Sequence, residues 1–121
     1  TSEAIWPGHP CCVLVADSAF LRRNPDTVRG VVEAHVEATR YIKDNPLEAA
    51  DMAHLFTGQD AGITREAMEN IDFTYTIDDK KLARYVSFLA EQGVVEKGEA
   101  GSLTRDMVDE RFLPVKEERK K

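Results

Sequence analysis

The sequence predicts a helix-rich α/β fold organised around one buried strand. A continuous apolar run of small and β-branched residues occupies positions 11–16, and this length and composition are typical of a strand covered on both faces. Two Asn-Pro pairs, Asn24-Pro25 and Asn45-Pro46, predict helix starts, because Asn caps a helix and Pro fits its first position. Apolar residues recur at helical spacing after each pair. The predicted architecture is therefore one clear strand and about five helices.

The residues before the strand form a predicted turn. Pro7-Gly8 is a typical turn pair, and Pro10 favours an extended backbone at His9. After the strand, Asp17 or Ser18 is a plausible cap for a short helical turn that ends near Arg23. This turn leads directly to the first long helix.

Two longer helices follow, predicted over 25–44 and 46–57. Gly58 is a suitable stop for the second of them. The expected buried positions are 28, 31, 32, 35, 39 and 42 in the first helix, and Ala49, Ala50, Met52, Ala53, Leu55 and Phe56 in the second.

The later part of the chain predicts shorter elements. Thr64 is expected to cap a helix that ends near Asn70, and 73–76 alternates as a short strand or extended connector. Asp78 caps a predicted helix over 79–92, and a last short helix begins at Leu103. The expected buried residues here are Leu82, Tyr85, Val86 and Leu89, and then Met107 and Val108.

Composition limits the classes of function. The 121 residues suggest one domain or one segment over 1–121, with a charged tail at 114–121. The net charge of −6 argues against a nucleic-acid partner, which would need a basic face. The chain starts without methionine and enters a loop and strand almost at once, so we expect it to begin in mid-protein, with any export signal upstream.

No complete catalytic or metal-binding motif is present in the sequence. Asp78-Asp79 is explained by helix capping, and Asp109-Glu110 by a solvated surface. His35 and His54 are interpreted as ordinary helix residues. We therefore predict no catalytic residues, no metal and no cofactor.

Cys11 and Cys12 are adjacent, and on a strand they would point to opposite faces. Neighbouring Cα atoms lie about 3.8 Å apart, which is too close for an ordinary disulfide. The simplest interpretation is two small apolar strand residues. A strained vicinal disulfide and a thiol site are the alternatives.

Trp6 and His9 are the candidate ligand-binding residues. They lie in the Pro-rich loop immediately before the predicted strand, and loops at strand ends are common places for ligands. The indole provides an apolar wall, while imidazole can donate a hydrogen bond or a charge to an anion. A purely structural role for both residues is the alternative.

The order of these residues resembles the C-terminal third of ABC-transporter substrate-binding proteins, in the nitrate, sulfonate, taurine and bicarbonate branch that is related to thiamine-precursor-binding proteins. The resemblance extends from Trp6 to Leu113. It is carried by the stretches His9-Pro10-Cys11-Cys12-Val13-Leu14-Val15, Asp17-Ser18-Ala19-Phe20-Leu21, Asn24-Pro25-Asp26-Thr27-Val28, Asn45-Pro46, Glu48-Ala49-Ala50, Ile71-Asp72-Phe73 and Arg111-Phe112-Leu113.

The resemblance implies the C-terminal part, 6–113, of a two-lobed periplasmic-binding-protein fold whose lobes close on a small solute. It implies a non-enzymatic, extracytoplasmic protein that serves ABC permease subunits. The strand's neighbours would lie in a missing N-terminal portion, and the loop with Trp6 and His9 would lie near the cleft. In nitrate- and bicarbonate-binding members a Lys can stand near the place of His9.

Two other hypotheses remain open from the sequence. One is a self-contained helical interaction or regulatory protein that pairs its strand across a homodimer. The other is an enzyme of the thiamine-precursor type, for which only His9, Cys11 and Cys12 are suitably placed. The first predicts a stable dimer, and the second predicts that His9→Ala abolishes an activity without unfolding the protein.

Overall fold

A computed structural model describes residue 4 and residues 6–114 of the chain. The chain divides into two compact units. Within the described residues, one unit comprises 4, 6–23 and 76–112, and the other comprises 24–75 and 113–114. The predicted charged tail at 114–121 lies, apart from Pro114, outside the described residues.

The unit of residues 24–75 contains three helices, α2 (Pro25–Asp44), α3 (Pro46–Thr57) and α4 (Ala61–Glu69). Both helices predicted from Asn-Pro pairs are confirmed with the expected bounds. The positive φ of 71° at Gly58 ends α3, as expected of a residue without a β-carbon.

The buried face of α2 differs from the predicted one. Val28, Val36 and Thr39 are buried, whereas Val31 is 50% exposed and His35 is exposed. The buried positions are separated by eight and by three residues, so they share one side of the helix. The Thr39 hydroxyl is satisfied within α2, since it donates to the His35 carbonyl at 2.8 Å.

On α3 the prediction of a wide buried face is wrong. Ala49 and Ala50 are buried, but Met52, Leu55 and Phe56 are 55%, 82% and 93% exposed. The side of α3 that carries the small alanine residues is buried, whereas the large apolar side chains are exposed to solvent.

Helix α4 begins earlier than predicted, at Ala61 instead of after Thr64. The Asp60 carboxylate accepts hydrogen bonds from the backbone N–H groups of Gly62 and Ile63 at 2.8 and 3.1 Å. Asp60 is therefore the N-cap. The Thr64 hydroxyl instead donates to the Asp60 carbonyl at 2.9 Å.

The other unit contains α1 (Ser18–Arg23), α5 (Asp79–Glu91) and α6 (Ala100–Asp106). Asp78 caps α5 as predicted, and its carboxylate accepts from the N–H groups of Lys80 and Lys81. Helix α6 starts three residues before the predicted Leu103. Leu82, Val86 and Ala90 of α5 are buried, while Tyr85 is 39% exposed and Met107, just after α6, is 60% exposed.

The predicted α/β class is wrong, because the described part of the chain contains helices and no strand. Residues 11–16 have neither strand pairing nor burial, and Val13, Leu14 and Val15 are 53%, 51% and 80% exposed. Residues 73–76 form no strand either. A strand requires a second strand to satisfy its backbone N–H and C=O groups, and the described residues provide none. The two-lobed α/β arrangement is therefore not seen in residues 4 and 6–114.

Candidate functional site

The loop predicted to hold the site is a tight turn from Trp6 to His9. Pro7 and Gly8 occupy its centre, and Gly8 has a φ of 65°. Proline at the first central position and a left-handed glycine at the second are typical of a type II turn. The backbone N–H of His9 donates to the Trp6 carbonyl at 3.3 Å and closes the turn.

The His9 side chain folds back onto the same turn. Its Nδ1 lies 2.9 Å from the Trp6 carbonyl oxygen. Because a carbonyl only accepts, Nδ1 carries the hydrogen, and in the neutral ring the lone pair belongs to Nε2. The structure therefore places the two predicted site residues, Trp6 and His9, together in one turn, both half-buried.

Helix α5 lies against this turn and provides an aromatic surface for Trp6. The Trp6 ring centroid is 5.7 Å from that of Tyr85 and 5.7 Å from that of Phe88, at interplanar angles of 38° and 71°. These distances and tilts fall within the range of favourable aromatic pairs. The rings of Tyr85 and Phe88 hold the Trp6 indole against α5 and so position the turn.

Two cationic side chains of α5 flank the turn. The Arg84 guanidinium carbon is 5.2 Å from the Trp6 ring centroid, a cation–π distance. The Lys81 Nζ lies 2.8 Å from the point that a β-carbon on Gly8 would occupy. Glycine therefore lets the ammonium group approach the turn backbone closely.

Together these groups form the turn site, which we define as Trp6, Gly8, His9, Lys81, Arg84, Tyr85 and Phe88. It combines two side chains that are positively charged at neutral pH, an imidazole and an aromatic wall. Such a set is chemically suited to a small anion, since cations and N–H donors compensate negative charge and aromatic rings cover an apolar part. It contains no nucleophile paired with a base.

The contribution of α5 to this site was not predicted from the sequence. Tyr85 was assigned to the buried face of its helix, and Lys81, Arg84 and Phe88 were assigned no role. Their spacing of three to four residues does show that positions 81, 84, 85 and 88 share one helix side. The sequence carries no sign that this side meets Trp6.

The other candidate residues lie apart from any such cluster. His35 is exposed on α2, and the Nδ1 of half-buried His54 donates to the Gln59 carbonyl. Asp109 forms a bidentate ion pair with Arg111, with a shortest contact of 2.6 Å, and this hydrogen bonding holds the pKa of Asp109 below its ordinary value. In residues 4 and 6–114, no group of three or more His, Cys, Asp or Glu side chains is placed to hold a metal ion.

Cys11 and Cys12 are both exposed free thiols, with their sulfur atoms 3.8 Å apart. The prediction that they point to opposite faces of a strand is wrong, because these residues form no strand. None of the helices in the described part is long and apolar enough to cross a membrane.

Comparison with known protein families gives a match over the first part of the chain. Residues 1–57 match the model of the NMT1-like family, which relates this part of the chain to substrate-binding proteins of ABC transporters. Within that class the match supports the nitrate, sulfonate and taurine branch. The matched range includes Trp6 and His9 but ends before α4, so it does not cover the resemblance seen in the sequence beyond residue 57. No curated protein and no solved structure matches the chain.

Proposed function

We propose that this chain is part of the solute-binding component of an ABC-type importer, and that its solute is a small anion or zwitterion such as nitrate, a sulfonate, taurine or bicarbonate. The match of residues 1–57 to the NMT1-like family carries this proposal. The chemistry of the turn site supports it, because Lys81, Arg84 and His9 place positive charge and N–H donors around an aromatic wall.

The proposed roles of the residues follow from their chemistry. Trp6 covers the apolar part or the planar face of the solute. Because Nδ1 of His9 already donates to the Trp6 carbonyl, His9 donates to the anionic group through Nε2, in the protonated form of the ring. Lys81 supplies an ammonium group beside the turn. The protein acts by binding and release to the permease and not by catalysis, and it works outside the cytoplasm.

The test uses the natural protein that contains this chain. Its mass in source cells, measured by blotting with an antibody against this segment, should exceed 13.6 kDa and appear in the exported fraction. The purified natural protein should then bind one or more of nitrate, taurine, an alkyl sulfonate and bicarbonate in calorimetric titrations. His9→Ala and Lys81→Ala should each weaken binding by about 10-fold or more, as expected for loss of a charge-assisted hydrogen bond.

His35→Ala is the matched control, since it removes an exposed imidazole from α2 and should leave affinity unchanged. Equal affinity of the His9→Ala and His35→Ala proteins would reject the role proposed for His9. A natural protein of about 13.6 kDa in the cytoplasm that binds none of the four solutes would reject the transport function itself.

A second candidate function is a helical protein that associates through its surface. The large exposed side chains Leu55 and Phe56 on α3 favour it, because contiguous exposed apolar groups often mark interaction sites. Unlike the homodimer predicted from the sequence, this association does not require strand pairing. It predicts a concentration-dependent dimer that serine substitutions at Leu55 and Phe56 abolish, measured by sedimentation of the unliganded protein.

A further inference from the structure

The two cysteines of the chain are placed as a pair of neighbouring thiols. Cys11 and Cys12 are both exposed and both free. Their Sγ atoms lie 3.8 Å apart, with the Cys12 thiol donating toward the Cys11 sulfur. The chain contains two cysteines in all, so no other thiol of this chain competes with them.

The separation of the sulfurs corresponds to a chelate. A zinc–thiolate bond is about 2.3 Å long and zinc sites are tetrahedral. Two thiolates on one tetrahedral centre therefore lie about 3.8 Å from each other. The observed 3.8 Å between the Cys11 and Cys12 sulfurs provides this bite without rearrangement.

A disulfide fits the same pair poorly. Its two sulfurs would have to approach to about 2.05 Å, and its Cα atoms ordinarily lie at least about 4.4 Å apart. Adjacent residues fix the Cα separation at about 3.8 Å. The bridged form would be strained and easily reduced, whereas the chelate leaves the backbone as it is.

We propose that Cys11 and Cys12 form a two-thiolate site for a thiophilic divalent cation of the zinc class. On binding, each thiol releases its proton to solvent, and two metal–sulfur bonds replace two metal–water bonds with no change of oxidation state. The remaining coordination positions are filled by water or a small external donor, because the described residues assemble no third side-chain ligand. The site is therefore open and exchangeable.

The ligand atoms determine the class of cation that fits the pair. Sulfur is the ligand atom that distinguishes zinc-class cations from Mg²⁺ and Ca²⁺, which prefer oxygen.

The test is a titration of the full natural protein with Co²⁺. Cobalt is the probe because its thiolate complexes absorb light, whereas zinc complexes are colourless. The protein is first reduced with a phosphine and desalted. We expect a thiolate-to-cobalt charge-transfer band that saturates at one cobalt per Cys11-Cys12 pair and is lost when Zn²⁺ is added.

Substitutions at the pair decide whether it chelates. Cys11→Ser and Cys12→Ser should each weaken cobalt binding by about 100-fold, because the second sulfur–metal bond is an intramolecular step. The double variant should lack the band, and His35→Ala should bind like the wild type. Circular dichroism should show unchanged helix content in all variants, since both thiols are exposed.

Three outcomes would overturn the assignment. They are no charge-transfer band in the reduced wild type, an unchanged band in the double variant, and single variants that bind cobalt as tightly as the wild type. Solute binding is not involved in any of these measurements, so the result stands apart from the proposed transport function.

Discussion

The guanidinium group of Arg84 lies over the indole ring of Trp6, with its central carbon 5.2 Å from the ring centroid. The same indole contacts Phe88 one turn further along α5. Trp6 thus contacts both a cation and an aromatic ring of one helix. This arrangement couples the position of the Trp6–His9 turn to the position of α5.

The first prediction concerns this cation–π contact. Arg84→Gln should lower the free energy of unfolding by about 0.5–1 kcal/mol, the usual value of such a contact at an exposed site. It should also shift the emission of Trp6, which is the one tryptophan of the chain. Arg105→Gln makes the same charge change on α6 and should leave the emission unchanged. Identical spectra for the two variants would contradict the contact.

The second prediction compares two glycines. Gly8→Ala should destabilise the protein by about 1–2 kcal/mol, because its left-handed backbone disfavours a β-carbon. The new methyl group would also displace the Lys81 ammonium, 2.8 Å from its position. Urea denaturation of both proteins measures the difference.

Gly30→Ala is the matched substitution, and we expect it to change the free energy of unfolding in the opposite direction. Gly30 lies inside α2, and a β-carbon there would have no neighbour within 4 Å. Alanine should therefore raise the free energy of unfolding by about 0.5–1 kcal/mol through helix propensity. Destabilisation at Gly30 would mean that its surface in α2 is covered.

The third prediction concerns a buried hydroxyl. The Tyr75 oxygen is buried, and no group in the described part of the chain provides it with a hydrogen-bond partner. Its ring lies under Arg40 at 5.7 Å. Tyr75→Phe keeps this ring contact and removes the unsatisfied group, so we expect a gain of about 1 kcal/mol in the free energy of unfolding.

Tyr41→Phe is the control for that gain. The Tyr41 hydroxyl forms a hydrogen bond with Glu48, which raises its pKa above the ordinary value. Removing a satisfied hydroxyl should bring no stabilisation. If both variants gain stability equally, the effect does not come from an unsatisfied hydrogen bond at Tyr75.

The fourth prediction concerns pH. Hydrogen bonds from the backbone N–H groups of Lys81 and Lys80 lower the pKa of Asp78 below its ordinary value in the folded protein. A carboxyl group with a lowered folded pKa stabilises the fold above its unfolded pKa of about 3.9, and this contribution is lost as pH falls through the folded value. The urea midpoint of the wild type should therefore exceed that of Asp78→Ala at pH 7, and the two should converge below about pH 4.

Asp79→Ala provides the comparison at the neighbouring carboxylate, which is not the N-cap. The difference between the urea midpoints of the wild type and Asp79→Ala should change less between pH 7 and pH 3 than the difference for Asp78→Ala. A gap between the wild type and Asp78→Ala that persists unchanged at pH 3 would show that the cap does not depend on the charged carboxylate.

The fifth prediction concerns the apolar surface of α3. Phe56 is 93% exposed, so Phe56→Ser should change the free energy of unfolding by less than about 0.5 kcal/mol. Leu82→Ala, at a position 8% exposed on α5, should cost about 2–5 kcal/mol. A large loss of stability in Phe56→Ser would show that Phe56 is covered in the natural protein.

Local chemistry explains which elements the sequence predicted correctly. The starts of α2 and α3 fall at the Asn-Pro pairs, where the proline occupies the first helical turn but the Asn side chain makes no capping hydrogen bond. The start of α5 depends on the Asp78 carboxylate. Each of these features lies within a few residues of the helix start that it predicts. At α4, however, Asp60 and Thr64 both have side chains that can cap, and only the three-dimensional structure shows that Asp60 does so.

Burial and long-range contacts could not be predicted in the same way. The apolar run at 11–16 has the composition of a buried strand, but burial depends on a partner strand that the described residues do not contain. Leu55 and Phe56 share α3 with the buried alanines, and periodicity alone did not separate the two sides. For the candidate site, Trp6 and His9 are predictions from the sequence, whereas Arg84 joins them through a tertiary contact between distant parts of the chain.

The unit that contains Trp6 is interrupted in the sequence by residues 24–75. This order has a consequence for synthesis on the ribosome. Helices α2–α4 are synthesised before α5. The contact between Trp6 and Phe88 cannot form until Phe88 has been added about 80 residues later, because a non-local contact requires the whole intervening chain. The indole therefore has none of its aromatic partners on α5 until residues 85–88 have been synthesised, and the turn site forms only after α2–α4 have been made.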